Sequence, residues 1–301
     1  NSWVFTMILN FGSINIDHVY SVDHFVQPGE SKTCPHYQIF AGGKGFNQSI
    51  AIARSGAKVS HVGLINASDK WLKDLLIKDK VNIKFLETRE SPTGHAIIQV
   101  DKKGENCILI YGGANKQYDK KFIEGVFLKN KNAKRVLLQN EINEIKHIIN
   151  CANRANCNVY LNPSPFTTDL LTLDLHKINM LILNEIECKQ MGQSDNLAEA
   201  LKNIIKKNAE IEVLLTKGKA GVIYAKGQIR QEFKAFKVSK PVDTTAAGDT
   251  FTGYFLGCLE QKLSIPDSII QGMKAAAICI QKKGAADSIP NFKDVKKHQF
   301  R

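Results

Sequence analysis

The sequence predicts an α/β protein built on a doubly wound, mostly parallel β-sheet flanked by helices, a Rossmann-like arrangement. Short apolar, β-rich runs alternate with amphipathic segments along most of the 301 residues, as they do where helical crossovers join parallel strands. Several runs are apolar at every position, which is typical of strands covered by helices on both faces. Because such crossovers are right-handed, we expect a ligand crevice at the carboxyl ends of the strands.

The first part of the chain supplies two strand–helix pairs. Met7–Phe11 is predicted to be a strand, and Gly45–Ser55 a helix that ends at Gly56. A second strand is expected over Val59–Leu64 and a second helix over Asp69–Lys78. These pairs follow the strand-then-helix order that a parallel sheet requires.

Four further apolar runs predict buried strands in the second part of the chain. These strands are Arg135–Leu138, Val159–Asn162, Met180–Leu183 and Val213–Thr216. The helices expected between them are Glu141–Ala152, Glu185–Met191 and Leu197–Lys207. The alternation of strand and helix is therefore maintained over most of the chain.

Two β-rich segments break this alternation, His18–Ile39 and His95–Tyr111. In the second segment, β-rich runs flank Lys102–Glu105, whose sequence is typical of a hairpin turn. Such an insertion commonly forms a lid or an oligomer contact, although an edge extension of the main sheet fits the composition equally well. Because no Pro/Gly/Ser-rich linker interrupts the chain, we expect one domain over residues 1–301, with β insertions within roughly 17–40 and 94–112.

Composition excludes several classes of protein and raises one question. Hydrophobic residues at 43% and charged residues at 23% are ordinary for a globular chain, which excludes a disordered tail, a collagen-like fibre and a coiled coil. The net charge of +12 suggests a basic, non-catalytic nucleic-acid-binding protein as one hypothesis. Lysines such as Lys202, Lys206 and Lys207 are, however, spread along the chain with little aromatic interleaving. We therefore expect them on solvated helix faces, and no nucleic-acid partner.

The cysteine pattern and the absence of long apolar runs indicate a cellular compartment. Seven cysteines, an odd number without a C-x-x-C pair, predict reduced thiols in a cytoplasmic protein, or a nuclear one in a eukaryote. No zinc-finger or H-E-x-x-H spacing is present among the histidines. No apolar run approaches the ~18 residues needed to cross a bilayer, and Asn1–Thr6 lacks the charged region of a signal peptide. No membrane partner is expected.

A glycine-containing segment, Val242–Phe251, is suited to binding phosphate. It is neither a P-loop nor a G-x-G-x-x-G motif, but Ala246, Ala247 and Gly248 are small residues at a predicted helix N-terminus. Their backbone N–H groups can approach an anion there. Asp249 follows in the first helical turn, where its carboxylate could deprotonate a hydroxyl that attacks phosphorus. A purely structural role remains open, in which Thr245 caps the helix and Asp249 favours its N-terminus.

A second glycine-rich segment, Ala41–Gln48, is suited to binding hydroxyl groups. Flexible glycines surround Lys44 and precede Asn47. Upstream, Asn15 and Asp17 are two residues apart, so both side chains can point to one face of an extended segment. Amide, carboxylate and ammonium groups that converge at strand ends can bind several hydroxyls, as a sugar presents. For Asn15 and Asp17, a turn with self-capping side chains is the alternative.

Together these segments resemble the two signatures of the ribokinases, within the pfkB family of carbohydrate kinases that also includes fructokinases and adenosine kinase. The first is Gly42-Gly43-Lys44-Gly45 with Asn47, and the second is Asp243–Phe251. Further matches occur in the family's order at Gly12–His18, Pro28–Glu30, Gly94, Gly112–Asn115, Asn162-Pro163, Asn184 with Glu187, and Thr216–Gly221. The resemblance extends from Met7 to about Pro290. Two positions depart from the pattern: Phe46 replaces a small residue, and Met273 stands where Asn or His often meets adenine.

The resemblance implies a ribokinase-like fold with a β lid and ATP-dependent phosphorylation of D-ribose at its 5-hydroxyl; deoxyribose, fructose or adenosine are alternative acceptors. It makes Asp249 the general base and Ala246, Ala247 and Gly248 the anion hole. The implied sugar-binding residues are Asn15, Asp17, Gly43, Lys44, Asn47, Glu141 and Asp249. The implied ATP-binding residues are Asn184, Thr216, Lys217, Gly218, Lys219, Ala220, Gly221 and Gly248.

The resemblance also implies two metal ions and a second subunit. Glu187 matches a residue that organises Mg²⁺ through water. A monovalent cation, K⁺, is implied beside the anion hole, held by Asp243, Thr245, Cys279, Lys282, Gly284 and Ser288. The lid would cover the sugar with an apolar underside of Ala96, Ile98 and Ile110, and would pair with the lid of a second copy to form a homodimer.

Overall fold

Thirteen strands and nine α-helices lie within residues 7–300, the part of the chain that this computed structural model describes. In chain order the strands β1 to β13 are Ile8–Phe11, Asn15–Ser21, His36–Gly42, Val59–Asn66, Asn82–Arg89, Gly94–Val100, Asn106–Tyr111, Arg135–Gln139, Asn158–Asn162, Met180–Asn184, Glu212–Thr216, Val222–Lys226 and Ile229–Phe233. The helices α1 to α9 are Lys44–Arg54, Lys70–Lys78, Lys120–Lys129, Ile145–Arg154, Glu185–Gly192, Leu197–Lys207, Ala247–Glu260, Ile265–Cys279 and Phe292–Lys297. Asn1–Thr6, where no signal peptide is expected, lies outside these residues.

The main sheet has nine strands in the order β13-β12-β11-β10-β9-β8-β1-β4-β5. All neighbouring strands from β11 to β5 are parallel, and only β12 and β13 at one edge pair antiparallel. The predicted doubly wound, mostly parallel sheet is confirmed. Because β1 lies between β4 and β8, the direction of winding reverses beside it, which places the ligand crevice at its carboxyl end.

Helices cover both faces of this sheet and bury two apolar clusters. Leu9 and Phe11 of β1 pack on one face with residues of α3, α4, α5 and α6. Ile8 points to the other face and packs with residues of α1, α2, α7 and α8. The alternation of buried side chains along β1 follows from the two-residue period of a strand. None of the helices within residues 7–300 is long and apolar enough to span a membrane.

One predicted helix begins later than the sequence pattern indicates. Glu141–Ala152 was expected to be helical, but α4 starts at Ile145 because Glu144 adopts a left-handed conformation with a φ of 59°. A helix cannot pass through this backbone geometry. Glu141 therefore lies in the loop after β8, where its side chain is free to reach the carboxyl end of β1.

The two β insertions form a separate four-stranded sheet in the order β3-β2-β6-β7, and not an extension of the main sheet. It continues from the carboxyl end of β1 through β2, and β3 leads directly into α1. Asp17 of β2 is opposite Ala96 of β6, which in turn is opposite Ile110 of β7. With Ile98 two residues further along β6, these apolar residues share the face that carries Asp17.

Helices α1 and α7 pack closely in parallel through small residues. A Cβ atom added to Gly253 would overlap the Cβ of Ala51, and one added to Gly257 would overlap the hydroxyl of Ser55. The absence of side chains at both glycines lets the two backbones approach. The first turns of α1 and α7 consequently lie side by side, and both face the crevice.

Candidate active site

Asp249 is held in the first turn of α7 by two amide side chains from α1. It is 6% exposed, and its carboxylate accepts hydrogen bonds from Asn47 Nδ2 at 3.1 Å and Gln48 Nε2 at 2.9 Å. The charge of Asp249 is the main cause that raises the pKa of Lys44, with Glu141 and Glu187 adding to it. Lys44 is therefore an ammonium ion that faces a fixed carboxylate.

The N-terminus of α7 is open to a ligand. Ala246 caps it in a left-handed conformation with a φ of 60°, and its carbonyl accepts the first helical bond, from Thr250 N at 2.8 Å. The Ala247 N–H group donates to Thr244 O at 3.2 Å, which closes the preceding turn. Gly248 is exposed, and no atom lies within 4 Å of the position a Cβ would take. An anion can approach the helix end at this point.

Asn15 and Asp17 lie where β1 passes into the small sheet. Asn115 Nδ2 donates to Asn15 Oδ1 at 2.8 Å, and the same Asn115 side chain bonds both backbone groups of Ile14 at 3.0 Å. Asp17 packs against Gly42, where any Cβ would overlap its carboxylate. Both side chains are thus oriented by the surrounding structure, rather than by the self-capping turn considered from the sequence.

Glu141 brings a second carboxylate to this cluster. It accepts a hydrogen bond from Lys44 N at 2.9 Å and another from Ser13 Oγ. Burial, followed by the charge of Glu141, raises the pKa of Asp17 to about 6. The neighbouring Gly43 has a φ of 91° and would contact Ser13 and Asn15 if it carried a Cβ. Carboxylate, amide and ammonium groups are therefore gathered around a glycine-lined turn.

Three residues of this site were not predicted, namely Gln48, Asn115 and Ser13. Gln48 Nε2 bonds Asn162 Oδ1 at 3.1 Å in addition to Asp249, and its Oε1 accepts from Gln139 Nε2 at 2.6 Å. The sequence signal available was a run of three polar residues, Asn47 to Ser49, directly before the apolar part of the helix. Asn47 Oδ1 is buried without a hydrogen-bond partner among the described residues, so it can accept a bond from a ligand hydroxyl.

A cavity of about 1090 Å³ adjoins the N-terminus of α7. This volume is at the upper end of the range for small-molecule sites. Residues that line it include Thr216, Gly218, Lys219, Gly221, Phe236, Gly248, Phe251, Met273, His298 and Phe300. Four predicted ATP-binding residues of the segment 216–221 are therefore on its wall, whereas Asn184, Lys217 and Ala220 are not among the lining residues.

The two departures from the family pattern lie in different environments. Phe46 is fully buried in the apolar cluster beneath α1, so its ring does not line an open sugar site. Met273 is 8% exposed and lies on the wall of the cavity together with Phe236. Its thioether contributes polarisable apolar surface where a flat ligand ring could pack.

Asn184 and Glu187 form a capping box at the start of α5. Asn184 Oδ1 accepts from Glu187 N at 2.8 Å, and Glu187 Oε2 accepts from Asn184 N at 2.9 Å. Glu187 Oε1 accepts no hydrogen bond from the described residues. The charge of Glu187 also contributes to the raised pKa of Lys44, and a carboxylate oxygen without a hydrogen bond suits a water-mediated Mg²⁺ ion.

The residues predicted to bind a monovalent cation lie close together beside the N-terminus of α7. Asp243 accepts hydrogen bonds from Thr245 N at 2.8 Å and from Gly284 N at 3.0 Å. Cys279 Sγ lies 3.8 Å from Thr245 O and 3.0 Å from Ser288 Oγ. The loop that contains Lys282 completes the group, since Lys282 N donates to Cys279 O at 3.1 Å. The carboxylate, hydroxyl and backbone carbonyl oxygens of this group are ligand types that a hard cation binds.

A fixed carboxylate at a helix N-terminus, with a hydroxyl-binding cluster on one side and a nucleotide-sized cavity on the other, defines a small-molecule kinase. The model of the pfkB family carbohydrate kinases matches residues 6–291. The chain belongs to this family and is a carbohydrate kinase; a non-catalytic nucleic-acid-binding protein is not favoured.

The resemblance to ribokinases is confirmed by similar proteins and structures. The chain is 34% identical to a ribokinase of Haemophilus influenzae over 292 residues, covering 93% of this chain and 94% of the relative. It is 35% identical to a ribokinase of Lactococcus lactis over 301 residues, covering 97% and 96%. The crystal structure of a Thermotoga maritima ribokinase superposes with a TM-score of 0.86 at 32% identity, covering 97% and 98%. An Arabidopsis thaliana ribokinase complexed with ribose and ATP gives a TM-score of 0.83 at 27% identity, covering 97% of each chain.

Proposed function

We propose that the protein transfers the γ-phosphoryl group of ATP to the 5-hydroxyl of D-ribose, yielding ribose 5-phosphate and ADP. The observation that carries this proposal is the position of Asp249, buried and fixed between the hydroxyl-binding cluster and the cavity beside α7. The similarity to ribokinases, among them one complexed with ribose and ATP, supports ribose as the acceptor.

In the proposed reaction, Asp249 takes the proton of the 5-hydroxyl as the oxygen attacks the γ-phosphorus and ADP leaves. Asn47 and Gln48 hold the carboxylate in one orientation, so little reorganisation is needed. The backbone amides of Ala246, Ala247 and Gly248, at the positive end of the α7 dipole, stabilise charge on the transferred group. Formation of this anion hole requires the Ala247 N–H group to exchange Thr244 O for a phosphoryl oxygen.

The remaining hydroxyls of ribose are proposed to bind the cluster around Gly43. Asn15, Asp17, Lys44, Asn47 and Glu141 supply its donors and acceptors. A buried carboxylate that lacks its hydroxyl partner carries a desolvation penalty. Deoxyribose, which lacks one hydroxyl, is therefore expected to be a poorer acceptor than ribose.

ATP is proposed to occupy the cavity, with its phosphates directed towards α7. The segment from Thr216 to Gly221 turns sharply through Gly218 and Gly221, which have φ values of 51° and 103°. Lys217 N donates to Gly221 O at 2.8 Å, which closes the turn. We assign this turn, with Lys219, Ala220 and Asn184, to ATP binding. Adenine would pack on the apolar wall near Met273.

Two ions are part of the proposal. Glu187 would hold Mg²⁺ through water, and the ion would neutralise charge on the ATP phosphates. The loops of Asp243, Thr245, Cys279, Lys282, Gly284 and Ser288 would hold K⁺, which would supply fixed positive charge beside the anion hole. Because Thr245 directly precedes Ala246, these loops set the backbone course into α7.

The four-stranded sheet is proposed to be a lid that pairs with the lid of a second copy. Ala96, Ile98 and Ile110 would cover the sugar. On the opposite face, which we call the outer lid face, Tyr37, Ile39, Ile97, Leu109 and Tyr111 are each at least 40% exposed. A contiguous apolar face of this kind marks a protein interface.

The seven cysteines are free thiols, which supports a reducing, cytoplasmic location.

A panel of phosphoryl acceptors tests the choice of sugar. ADP release would be followed with a coupled assay for ribose, deoxyribose, fructose and adenosine at equal concentrations. We expect the highest kcat/KM for ribose, because the similarity to ribokinases favours it as the acceptor that the cluster binds. A higher kcat/KM for fructose or adenosine would contradict the proposed substrate while leaving the carbohydrate kinase class intact.

A further inference from the structure

Three side chains of metal-ligating type meet between α3 and α4, on the sheet face opposite to α1 and α7, from the half-exposed Glu124 to the buried Cys151. Glu124 belongs to α3, whereas His147 and Cys151 are four residues apart on α4 and therefore share one helix face. His147 Nε2 lies 3.1 Å from Glu124 Oε1 and 3.5 Å from Cys151 Sγ. All three ligand atoms lie within 4.8 Å of one another. We propose that these residues bind a zinc ion, independently of the kinase reaction.

Two of the three distances between ligand atoms agree with tetrahedral coordination. Zinc binds sulfur at about 2.3 Å and nitrogen or oxygen at about 2.0 Å, so a tetrahedron has an N···S edge of about 3.5 Å and an N···O edge of about 3.3 Å. The corresponding distances from His147 Nε2 are 3.5 Å and 3.1 Å. The third pair, Glu124 and Cys151, has its ligand atoms within 4.8 Å of each other, and a rotation of the half-exposed Glu124 side chain can shorten this distance. Three protein ligands leave a fourth position for water.

Cys151 Sγ already has a hydrogen-bond donor beside it that a metal-bound sulfur could keep. Cys151 is 3% exposed, and Arg154 Nη2 lies 3.0 Å from its Sγ atom. The Arg154 guanidinium can remain as an outer hydrogen-bond donor to sulfur when a metal is bound. The Glu124 side chain is 49% exposed, so an ion can enter from its side.

The ligand set selects zinc over the magnesium that accompanies ATP. Thiolate and imidazole are soft or borderline ligands that suit zinc, whereas magnesium prefers oxygen and retains its water. The helices that carry the ligands are also well anchored. Ile123 and Phe127 of α3, and Ile148 and Ala152 of α4, are buried in the apolar cluster beneath. Zinc would therefore link two positioned helices and stabilise the folded state by mass action.

A metal-free role for the same three residues makes a different prediction. His147 would then simply bridge Glu124 and Cys151 through hydrogen bonds, and added metal would leave the protein unchanged. Cobalt(II) distinguishes the two roles, because a thiolate ligand gives a charge-transfer band and tetrahedral geometry gives intense visible absorption.

We would titrate the full chain with Co²⁺ and then displace it with Zn²⁺. We expect one equivalent to bind with both spectral features, and Zn²⁺ to raise the Tm. Cys151→Ser should abolish the charge-transfer band, and Glu124→Gln, at an exposed position, should weaken binding at least about tenfold. Cys107→Ser removes an exposed cysteine of β7 and serves as the matched control, with unchanged binding. Metal-free Glu124→Gln should retain wild-type kinase activity.

The proposal fails if the charge-transfer band persists in Cys151→Ser, or if it disappears in Cys107→Ser. It also fails if Glu124→Gln binds Co²⁺ as tightly as the wild type, or if the wild-type Tm does not respond to Zn²⁺. Because Glu124→Gln changes only a half-exposed side chain, it tests the site even if Cys151→Ser folds poorly.

Discussion

At the scale of single residues, the reactivity assigned to Asp249 depends on a chain of buried amides. Gln48, which donates to Asp249, accepts from Gln139, and Gln139 Nε2 in turn donates to Asn10 Oδ1 at 2.9 Å. The chain continues through Ser49 to His61, where burial lowers the histidine pKa to about 3 and keeps the ring neutral. Asp249 is therefore oriented by neutral donors, and Lys44 is the cation that faces it.

Replacement of Gln48 by Ala tests this positioning role. Loss of a hydrogen bond to a charged group costs about 1.5–3 kcal/mol, so we expect kcat to fall about 10- to 100-fold, with a smaller change in KM for ribose. Steady-state kinetics of the variant gives both values. Gln231→Ala, at an exposed position on β13, is the matched control and should be silent. An unchanged kcat in Gln48→Ala would show that Asn47 alone positions the carboxylate.

The proposed role of Asp17 is expected to make ribose binding dependent on pH. Burial and the charge of Glu141 raise its pKa to about 6, so the carboxylate is ionised above that pH and becomes protonated below it. A protonated carboxyl has fewer acceptor sites for hydroxyls. We expect KM for ribose to rise as pH falls from 7.5 to 5, and Asp17→Asn to have a high KM that does not respond to pH over this range. A wild-type KM that is flat between pH 5 and 7.5 would contradict the role of Asp17.

Residue types and spacing were sufficient to predict part of the site that the structure brings together around α1 and α7, whereas Glu141 was expected only from the family resemblance. Asn47, Lys44 and Asp249 are polar groups next to glycines, a pattern that is visible in the sequence. Gln48 was missed because nothing in a single helix shows which other helix its side chain will reach. The hydrogen bonds of Asn115, from a distant segment, are likewise a consequence of tertiary structure.

At the scale of secondary-structure elements, the close approach of α1 and α7 sets the geometry of the site. The contact through Gly253 and Gly257 fixes the separation of the two helices. At the N-terminal end of this contact, Asn47 of α1 meets Asp249 of α7. Spacing at this contact is therefore expected to affect both stability and catalysis.

Gly253→Ala should lower both the stability of the protein and its kcat. The added Cβ would overlap Ala51 and lie 2.8 Å from Gln48 O, so α7 must move away from α1. We expect the free energy of unfolding to fall by about 1–3 kcal/mol and kcat to fall with it, as measured by urea denaturation and kinetics. Gly125→Ala on α3 is the control: no atom lies within 4 Å of its Cβ position, and it should stabilise the protein by about 0.5–1 kcal/mol. Equal effects of the two substitutions would refute this account of the contact.

The accuracy of the element predictions followed the strength of the local pattern. Leu197–Lys207 was predicted with both ends correct, because its apolar residues repeat with the helical period and Asn196 caps it. The predicted start of α4 was wrong, because Glu144 adopts a left-handed conformation without being a glycine, and this leaves no signal in the sequence. The pairing of β2 with β6, about 80 residues apart, is also not encoded in either strand alone.

At the scale of the whole molecule, the net charge is distributed on solvated surfaces, as expected. Lys202, Lys206 and Lys207 of α6 are all exposed, as are Lys296 and Lys297 of α9. The outer lid face differs from these charged surfaces, because it brings several large apolar side chains together in contact with solvent. A second copy of the lid would remove this area from water, which is the physical reason to expect a dimer.

Light scattering coupled to gel filtration measures this association directly. We expect the wild type to have the mass of two chains, and Leu109→Glu, at a residue 69% exposed on the outer lid face, to have the mass of one. Leu128→Glu on α3, where the residue is 73% exposed, is the matched control and should remain dimeric. A monomeric wild type, or dissociation caused equally by both substitutions, would contradict pairing through the lid.

Asp249→Asn tests the central claim most directly, because it removes the base and retains the size of the side chain. General-base catalysis contributes about 10²- to 10⁴-fold to a rate, so we expect kcat to fall by at least about 10²-fold. Ribose binding, measured by isothermal titration calorimetry, should remain within a few-fold of the wild type. A variant that binds ribose and phosphorylates it at a near wild-type rate would contradict the assignment of Asp249 as the general base.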